Sequence, residues 1–396
     1  MLLVATCCGA ADFQSLYDKK QLFDLRDAIA DGQAPAFFRV VVACAFNDQP
    51  LCLSESKAFL DSKPSPELAG KVYDDILFDF HFSHGRWAEA LAALEAGVAL
   101  RGESEDPDNL RELCRAILRH GPLAVERSAH STIHVLYKNA HAPFSVNGRP
   151  YRGYLDTGAN LSLMSESAAQ QLGLPMESVR FKFGGSAGNE LTLSRVAIAE
   201  HFVIGNVELR NVPFIIVSDR QQPFASWGKG KRCVLGLQVL LAARNMTWKG
   251  GLLGAELELA RPAADRDLRR ANFCLDGMAP VAAAEYRGQR LTMFVDTGAG
   301  FSTLSAAFAT RFPAVLSGAA RGVIPVEGID GRAKAEGTNL SGVSLRISGH
   351  DAGFRHMSVR LKGPGANLYD GMLGNDLAGK AHEYTIDFEG GRMILR

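Results

Sequence analysis

The sequence lacks several features that would assign it to common functional classes. It contains no run of about 18 apolar residues, which excludes a membrane-spanning helix. Its 43 lysines and arginines balance its 43 aspartates and glutamates, so we expect no basic surface for nucleic acid. No Gly-x-Ser-x-Gly elbow, phosphate-binding loop or Cys–His nucleophile pattern is present. The catalytic groups, if any, must therefore be of another kind.

Cysteine and histidine do not occur in patterns that predict a metal centre. The seven cysteines match no metal-binding spacing, and their odd number leaves one without a partner. His130, His134 and His141 cluster around a predicted strand, where that spacing does not converge on one ion. We therefore expect neither a metal nor another cofactor.

The most informative feature is a tripeptide that occurs twice. Asp156-Thr157-Gly158 and Asp296-Thr297-Gly298 stand 140 residues apart, and alanine follows each of them. The flanking residues repeat as well, because Tyr154-Leu155 precedes the first copy and Phe294-Val295 precedes the second. Two equivalent carboxylates on duplicated units predict one site, built where the two units meet.

A pair of neighbouring carboxylates can hydrolyse a bond without a metal or a covalent intermediate. Because like charges repel, Asp156 and Asp296 would share a proton and titrate as a pair. One would act as general base on a water molecule while the other, protonated, polarises a carbonyl group. In each loop, glycine permits the narrow turn and threonine can donate its hydroxyl to the partner loop. These loop-supporting residues are Thr157, Gly158, Thr297 and Gly298.

The duplicated Asp-Thr-Gly-Ala motif resembles that of the retropepsin-like aspartic proteases of bacteria, here in tandem within one chain. A second family signature, two apolar residues and a glycine that thread beneath the catalytic loop, is matched by Val234-Leu235-Gly236 and Met372-Leu373-Gly374. The resemblance implies a mainly β, bilobal acid-protease fold of the retropepsin or pepsin type, with lobes at 127–260 and 270–396. A monomer would then be sufficient to assemble the site.

Each lobe also contains a glycine-rich segment between its catalytic loop and its threading segment, at 181–188 and 326–331. The family has its flap at this position, a hairpin that closes over substrate and excludes water. An ordinary β-hairpin turn is the alternative interpretation. The residues expected to contact substrate there are Phe183, Gly184, Gly185, Gly188, Gly328, Ile329 and Gly331.

Two departures from the family pattern bear on the pH range. Asn160 and Gly300 occupy positions where retroviral enzymes usually have aspartate, so an ion pair from that position is lost. Ala159 and Ala299 offer no hydroxyl to the outer carboxylate oxygens. Fewer donors to the charged form raise the pKa of the carboxyl pair. We therefore expect activity from mildly acidic to near neutral pH.

Residues 11–122 differ in kind from the lobes, because glycine is sparse and apolar residues recur at helical spacing. The segment 84–94 resembles the inter-helix turn and second helix of a tetratricopeptide repeat, with a weaker echo at 45–60. This resemblance implies an all-α helical-repeat domain. It could bind a protein partner, dock substrate or cover the cleft, and a purely stabilising role is the alternative.

The first ten residues, 1–10, resemble the end of an export signal, although a basic start is missing. We expect an exported protein of the periplasm or cell envelope, with a lipid anchor as one option and a cytoplasmic protein as the alternative. In an oxidising compartment Cys44 and Cys52 are candidates for a disulfide, and Cys233 with Cys274 is a weaker pair.

Together these patterns predict an aspartic endopeptidase that uses Asp156 and Asp296 to activate water. Its substrate would be an extended polypeptide, bound by strand pairing in the cleft between the lobes. The alternative is a catalytically inactive protease-fold protein that binds peptides while its helical domain recruits a partner. Turnover by the purified protein distinguishes the two.

Overall fold

The computed structural model describes residues 10–30, 34–102, 105–135, 141–250, 255–262, 266–367 and 369–396. The expected export segment therefore lies outside the described residues, except for Ala10, which begins the first helix. Helices fill the first third of the described chain, and strands dominate the rest. None of the described helices combines the length and apolar character that crossing a bilayer requires.

The N-terminal part is helical, as the apolar spacing predicts. A π-helical turn, Val72–Phe78, joins two of its helices. The described α-helices are α1 (Ala10–Asp18), α2 (Leu22–Ala30), α3 (Ala36–Ala45), α4 (Gln49–Asp61), α5 (Pro66–Lys71), α6 (Asp79–Ser83), α7 (Trp87–Arg101) and α8 (Glu105–Leu118).

Two helical hairpins lie at the two segments that resemble a tetratricopeptide repeat, 45–60 and 84–94. One is α3–α4 and the other is α6–α7, whose turn contains His84 and Gly85. The two turns contact each other, since the His84 ring nitrogen Nε2 lies 2.9 Å from Asn47 Oδ1. The helix–turn–helix pattern is thus observed, while the tetratricopeptide type of repeat stays a prediction.

One of the two proposed cysteine pairs is present. Cys44 at the end of α3 and Cys52 in α4 form a disulfide across the turn between these helices. Cys233 and Cys274 are both buried free thiols, so the prediction of that second pair is wrong. Each of them lies in its own lobe, on a short buried strand.

Lobe 1 contains the first Asp-Thr-Gly copy. Eight of its strands form one sheet in the order β1-β8-β5-β9-β4-β3-β7-β6. Its described elements are β1 (Ala124–Ser128), β2 (Ser131–Val135), β3 (His141–Val146), β4 (Arg149–Leu155), β5 (Ser162–Ser165), α9 (Glu166–Leu172), β6 (Met176–Gly184), β7 (Glu190–Ile204), β8 (Val207–Val217), β9 (Cys233–Leu235), α10 (Leu237–Ala242), β10 (Asn245–Lys249) and β11 (Ala255–Leu259).

Lobe 2 repeats this plan around the second copy. Its sheet order is β12-β13-β14-β19-β15-β18-β17-β16, so the run β13-β14-β19-β15-β18 mirrors β3-β4-β9-β5-β8 of lobe 1. Its described elements are β12 (Phe273–Asp276), β13 (Ala279–Tyr286), β14 (Gln289–Val295), β15 (Thr303–Leu304), α11 (Ala306–Arg311), β16 (Arg321–Gly328), β17 (Gly331–Ile347), β18 (His350–Lys362), β19 (Gly371–Leu373), β20 (Glu383–Asp387) and β21 (Arg392–Leu395).

A third sheet joins the lobes. It has the strand order β2-β11-β10-β20-β21, in which β10 of lobe 1 pairs antiparallel with β20 of lobe 2. The pairing is reinforced where Thr247 and Thr385, both buried, place their hydroxyls 2.9 Å apart. Because hydrogen bonds cross from one lobe to the other, this sheet fixes the relative position of the two catalytic loops above it.

The helical domain shares an apolar core with lobe 1. Trp87 and Leu113 of the helices belong to the same buried cluster as Leu163 and Phe181 of lobe 1. Helix α8 packs along β6, the outermost strand of the lobe 1 sheet. Apolar burial on this scale is the main force that holds such layers together, so the helices are an integral part of the structure.

The threading segments lie beneath the catalytic loops in both lobes, as the sequence predicts. Strand β9 runs parallel to β4, and β19 runs parallel to β14. A Cβ atom on Gly236 would lie 2.6 Å from the carbonyl carbon and oxygen of Leu161, and one on Gly374 would lie 2.6 Å from the carbonyl carbon of Phe301. Both contacts are with backbone, which cannot swing aside. Glycine is therefore required at both crossings.

We expect the substitution Gly236→Ala to destabilise the protein by about 1–3 kcal/mol or more, because it overpacks a rigid backbone crossing. Urea unfolding measures the difference in the free energy of unfolding. The control is Gly353→Ala on β18, where an added Cβ meets no atom within 4 Å and the change should stay below about 1 kcal/mol. Equal midpoints for the two variants would contradict the crossing argument.

Candidate active site

The two Asp-Thr-Gly loops meet between the lobes, where β4 and β14 end. A Cβ atom on Gly298 would lie 2.5 Å from the carboxyl oxygens of Asp156, and one on Gly158 would lie 2.7 Å from Asp296 Oδ1. Each glycine therefore lies against the carboxyl group of the opposite loop. The two carboxyl groups are joined by a hydrogen bond. The structure thus brings together the pair that the duplicated motif predicts.

Threonine hydroxyls connect the two loops reciprocally. Thr157 Oγ1 donates to the carbonyl of Val295 at 2.7 Å and accepts from the Thr297 amide at 3.0 Å. Thr297 Oγ1 donates to the carbonyl of Leu155 at 2.8 Å and accepts from the Thr157 amide at 3.0 Å. Both side chains are at most 1% exposed, so water does not compete for these bonds.

The backbone around the carboxyl groups supplies further donors. The Gly158 amide donates to Asp156 Oδ1 at 2.9 Å. Asp296 Oδ1 accepts from two amides, those of Gly298 at 2.8 Å and Ala299 at 3.1 Å. The two loops therefore hold their carboxyl groups in fixed orientations without any hydroxyl at the alanine positions.

The pair is electrostatically strained, since burial raises the pKa of Asp156 well above its usual range and the Asp296 charge raises it further. Burial also raises the pKa of Asp296, against the hydrogen bond from Asp156 and the nearby charge of Arg360. One shared proton between the two groups therefore persists to higher pH than for a solvated aspartate. This direction agrees with the expectation from the missing hydroxyls.

Two serines beneath the loops were not predicted as site residues. Ser162 Oγ accepts from the Gly236 amide, and Ser302 Oγ accepts from the Gly374 amide, both at 3.0 Å. They tie each threading segment to the chain that follows each catalytic loop. The repeated serine in the flanks was the available sequence signal, because it sits at the same offset of 140 residues.

A cavity of about 750 Å³ opens above the carboxyl pair. Its lining comes from both catalytic loops, both predicted flap hairpins and the helical domain. This volume lies within the range of pockets that hold sizeable ligands. The site is therefore a shared interlobe cleft with the carboxyl pair at its floor.

The predicted flap segments form hairpins, β6–β7 in lobe 1 and β16–β17 in lobe 2. Gly188 and Gly331 have positive φ at the turns and are not among the cavity-lining residues. Phe183 lies in β6, but its side chain is outside the described part of the structure. The predicted flap residues that line the cavity are Gly184, Gly185, Gly328 and Ile329.

The tips of the two hairpins are bound to each other by Asp330, which sequence reasoning missed. Its carboxylate, on a side chain only 6% exposed, accepts from the amides of Ala187 at 3.0 Å and Asn189 at 2.7 Å. A Cβ atom on Gly185 or Gly328 would lie 2.4 or 2.6 Å from Asp330 Oδ1. The flap glycines are thus needed so that the two tips can approach, and the cavity is roofed.

The helical domain closes part of the cleft. Phe82 of α6 and Asn109 and Leu110 of α8 line the cavity. Gln238 connects this wall to the first Asp-Thr-Gly loop, since its Nε2 donates to the Phe82 carbonyl at 3.4 Å and to the Asn160 carbonyl at 2.5 Å. Helix α8 also braces the lobe 1 hairpin, because Glu112 Oε1 accepts from the Arg180 amide at 3.0 Å. Of the roles left open for this domain, these contacts fit covering of the cleft, and the shared apolar core fits a stabilising role.

Away from the cleft, Glu126, His201 and Glu208 place potential metal-ligating atoms within 4.8 Å of one another. Both carboxylates are already paired with arginines, Glu126 with Arg210 at 2.8 Å and Glu208 with Arg127. These ion pairs account for the cluster as part of a charged sheet surface, so it does not form a second candidate site.

We expect Thr297→Val to destabilise the protein by about 1–3 kcal/mol, because it leaves the buried Thr157 amide and Leu155 carbonyl without a partner. Thermal or urea unfolding measures the loss. The control is Thr297→Ser, which keeps the hydroxyl and should recover most of the stability. If valine and serine have equal effects, the hydroxyl bonds do not hold the loops together.

We expect Asp156→Asn to raise the free energy of unfolding at pH 7. Above the usual aspartate pKa of about 3.9, the unfolded chain releases a proton that the folded protein keeps at Asp156. Wild-type stability therefore falls as the pH rises from the usual aspartate pKa toward the raised folded pKa, and asparagine removes this loss. The gain should shrink as the pH approaches about 4.

Urea unfolding at several pH values tests this expectation. The control, Asp61→Asn, changes an exposed carboxylate at the end of α4 and should show no such pH-dependent gain. A gain of the same size at pH 4 and pH 7 would contradict the raised pKa of Asp156.

Comparison with known proteins found similarity to solved structures and to one protein family. A retropepsin-like aspartic protease from Rickettsia conorii, known from its crystal structure, aligns at 18% identity with a TM-score of 0.25, over 34% of this chain and 94% of that chain. Comparison with curated proteins gave no match. Residues 142–239, which include the first Asp-Thr-Gly copy and its threading segment, match the model of the aspartyl protease family.

Proposed function

We propose that the chain is an aspartic endopeptidase in which Asp156 and Asp296 activate a water molecule. The observation that carries this proposal is the hydrogen-bonded pair of carboxyl groups at the floor of one roofed cleft. The aspartyl protease match over 142–239 supports the same class of chemistry. Both carboxyl groups come from one chain, so a monomer is sufficient.

The surroundings assign different roles to the two carboxyl groups. Backbone amides of the two following loop residues favour the ionised form of both carboxyl groups, but only Asp296 also lies near the charge of Arg360, which favours its ionised form further. The shared proton therefore resides on Asp156. Asp296 is the general base that takes a proton from water, and Asp156 is the acid that donates to the scissile carbonyl oxygen.

The reaction then needs no group outside the chain and its substrates. Water oxygen bonds to the carbonyl carbon as its proton passes to Asp296, and the Asp156 proton passes to the carbonyl oxygen. The C–N bond breaks as the amine receives the proton from Asp296, and Asp156 recovers its own proton from the hydroxyl. Every proton is returned, so the pair is ready for another cycle.

The roof over the cleft determines how substrate binds. Hairpins β6–β7 and β16–β17 provide strand edges against which an extended peptide can pair. Because the tips are joined through Asp330, entry requires that these bonds open. Closure then excludes water from the carboxyl pair, which strengthens its electrostatic interactions.

We expect full-length protein to cleave members of a diverse peptide library between pH 3 and 8, with a maximum from mildly acidic to near neutral pH. Asp296→Asn should lose at least about 10²–10⁴-fold in kcat/KM, because it removes the general base. The exposed control Asp61→Asn should keep wild-type activity.

Two results would contradict this proposal. Cleavage retained by Asp296→Asn would exclude the carboxyl-pair mechanism, and a maximum below about pH 3 would exclude the raised pKa. If wild type binds peptides at every pH and turns none over, the chain is instead an inactive protease-fold protein that binds peptides.

A further inference from the structure

The duplication allows each position near the site to be compared with its counterpart in the other lobe. Met164 pairs with Ile216 in lobe 1, and Leu304, 140 residues later, pairs with Val359 in lobe 2. One residue further along each strand stand Val217 and Arg360. Val217 is apolar and 3% exposed. The equivalent place in lobe 2 therefore holds a cation where lobe 1 has a buried aliphatic side chain.

Arg360 lies in the catalytic cleft. It is near the end of β18, lines the cavity above the carboxyl pair and is half-buried. Its guanidinium packs against the following turn, since a Cβ atom on Gly365 would lie 2.4 Å from Arg360 Nη1. This packing holds the charged group at the lobe 2 end of the cleft.

Among the described residues, no carboxylate lies within ion-pair distance of the Arg360 guanidinium and no hydrogen bond involves it. Its Nε is buried without a partner. Burial lowers the pKa of Arg360, and the charge of Asp296 acts against that change. A buried donor without a partner is costly, and guanidinium groups bind carboxylates with paired hydrogen bonds. A carboxylate of a bound ligand would therefore supply the hydrogen-bond partner that the Arg360 guanidinium lacks.

Lobe 1 contributes residues of a different chemistry to the same cleft. Tyr154 and Trp227 line it and stack with ring centroids 5.6 Å apart, and Leu163 adds aliphatic surface. The lobe 1 part of the lining is mainly aromatic and aliphatic and includes Lys182, whereas lobe 2 contributes Arg360 and also Glu327, which is paired with Arg332 at 3.3 Å. A peptide with an apolar side chain on one side of the scissile bond and a carboxylate on the other matches the aromatic surface and Arg360.

We infer that Arg360 is a specificity-determining residue that binds a substrate carboxylate beside the scissile bond. This inference rests on the proposed function and names its substrate class, a peptide with an acidic group at the lobe 2 end of the cleft. The carboxylate is either an Asp or Glu side chain or the terminal carboxylate of the chain. Both sources offer the same carboxylate group to Arg360, and the experiment below distinguishes between them.

The test compares peptide pairs that are identical except for Glu or Gln at each position near the cleavage site. At one of these positions wild type should prefer Glu by roughly 10-fold or more in kcat/KM. Arg360→Met should reduce that ratio to about 1, and Arg360→Glu should invert it toward a Lys peptide. The Glu/Gln ratio of kcat/KM is calculated within each variant. A change in the pKa of Asp296 caused by the substitution affects both peptides of a pair and therefore does not alter this ratio.

Two further arms complete the design. Arg355→Met makes the same change at an exposed site on β18 outside the cavity and should leave the ratio at its wild-type value. Peptides ending at each of these positions, as the free acid or the amide, reveal the source of the carboxylate. An acid preference confined to these peptides assigns the terminal carboxylate, and a preference confined to internal Glu assigns the side chain.

Binding separates this inference from the proposed function. Fluorescence anisotropy with labelled Glu and Gln peptides is measured on Asp156→Asn, which leaves Asp296 beside Arg360. A Glu preference that Arg360→Met abolishes supports the inference even if wild type shows no turnover, in which case the proposed function fails alone. Cleavage without any acid preference overturns the inference and leaves the function intact. Absence of both binding and cleavage overturns both.

Discussion

The reciprocal hydrogen bonds of Thr157 and Thr297 are the constraint on which the rest of the site depends. Two carboxyl groups that repel each other remain adjacent only if their loops cannot move apart. Each threonine uses its hydroxyl as donor and acceptor at once, and each bond crosses from one lobe to the other. The β10–β20 pairing beneath the loops holds the two whole lobes in the same relative position. Buried hydrogen bonds between the threonine hydroxyls and the backbone of the opposite loop thus hold the repelling carboxyl groups together.

Much of this arrangement could be predicted because duplication repeats local chemistry at a fixed offset. The carboxyl pair, the threonines and the threading glycines all follow from short motifs whose geometry is determined within a few residues. The contacts of Asp330 and the wall formed by Phe82 and Leu110 could not, since they join segments that only tertiary packing brings together. The predicted disulfide between Cys233 and Cys274 was wrong for the same reason, because the separation of two cysteines in sequence does not give the distance between them in the fold.

The helical domain makes the two hairpins over the cleft unequal in their freedom to move. In a plain two-lobed site, both hairpins would be equally free to lift. Here α8 packs along β6 and Glu112 holds the Arg180 amide, so the lobe 1 hairpin is braced from outside. The lobe 2 hairpin has a small apolar cluster of its own, centred on Ile324 and Val326. We therefore expect the roof to open on the lobe 2 side, where the hydrogen bonds of Asp330 and the bond from Gln221 Nε2 to the Ile329 carbonyl must be broken at the tip.

Asymmetry between duplicated lobes also explains how equal motifs can take unequal roles. Two identical carboxyl groups in identical surroundings would share their proton evenly, and neither would be committed as base. Backbone amides favour the ionised form of both carboxyl groups, so the asymmetry comes from Arg360, which lobe 2 places near Asp296 where lobe 1 has Val217. Under the proposed mechanism, the cation that biases the proton toward Asp156 is also the group inferred to bind a substrate carboxylate. The two proposals are then coupled. An acidic group bound at Arg360 would partly neutralise it, which would raise the affinity of Asp296 for the proton that the mechanism takes from water.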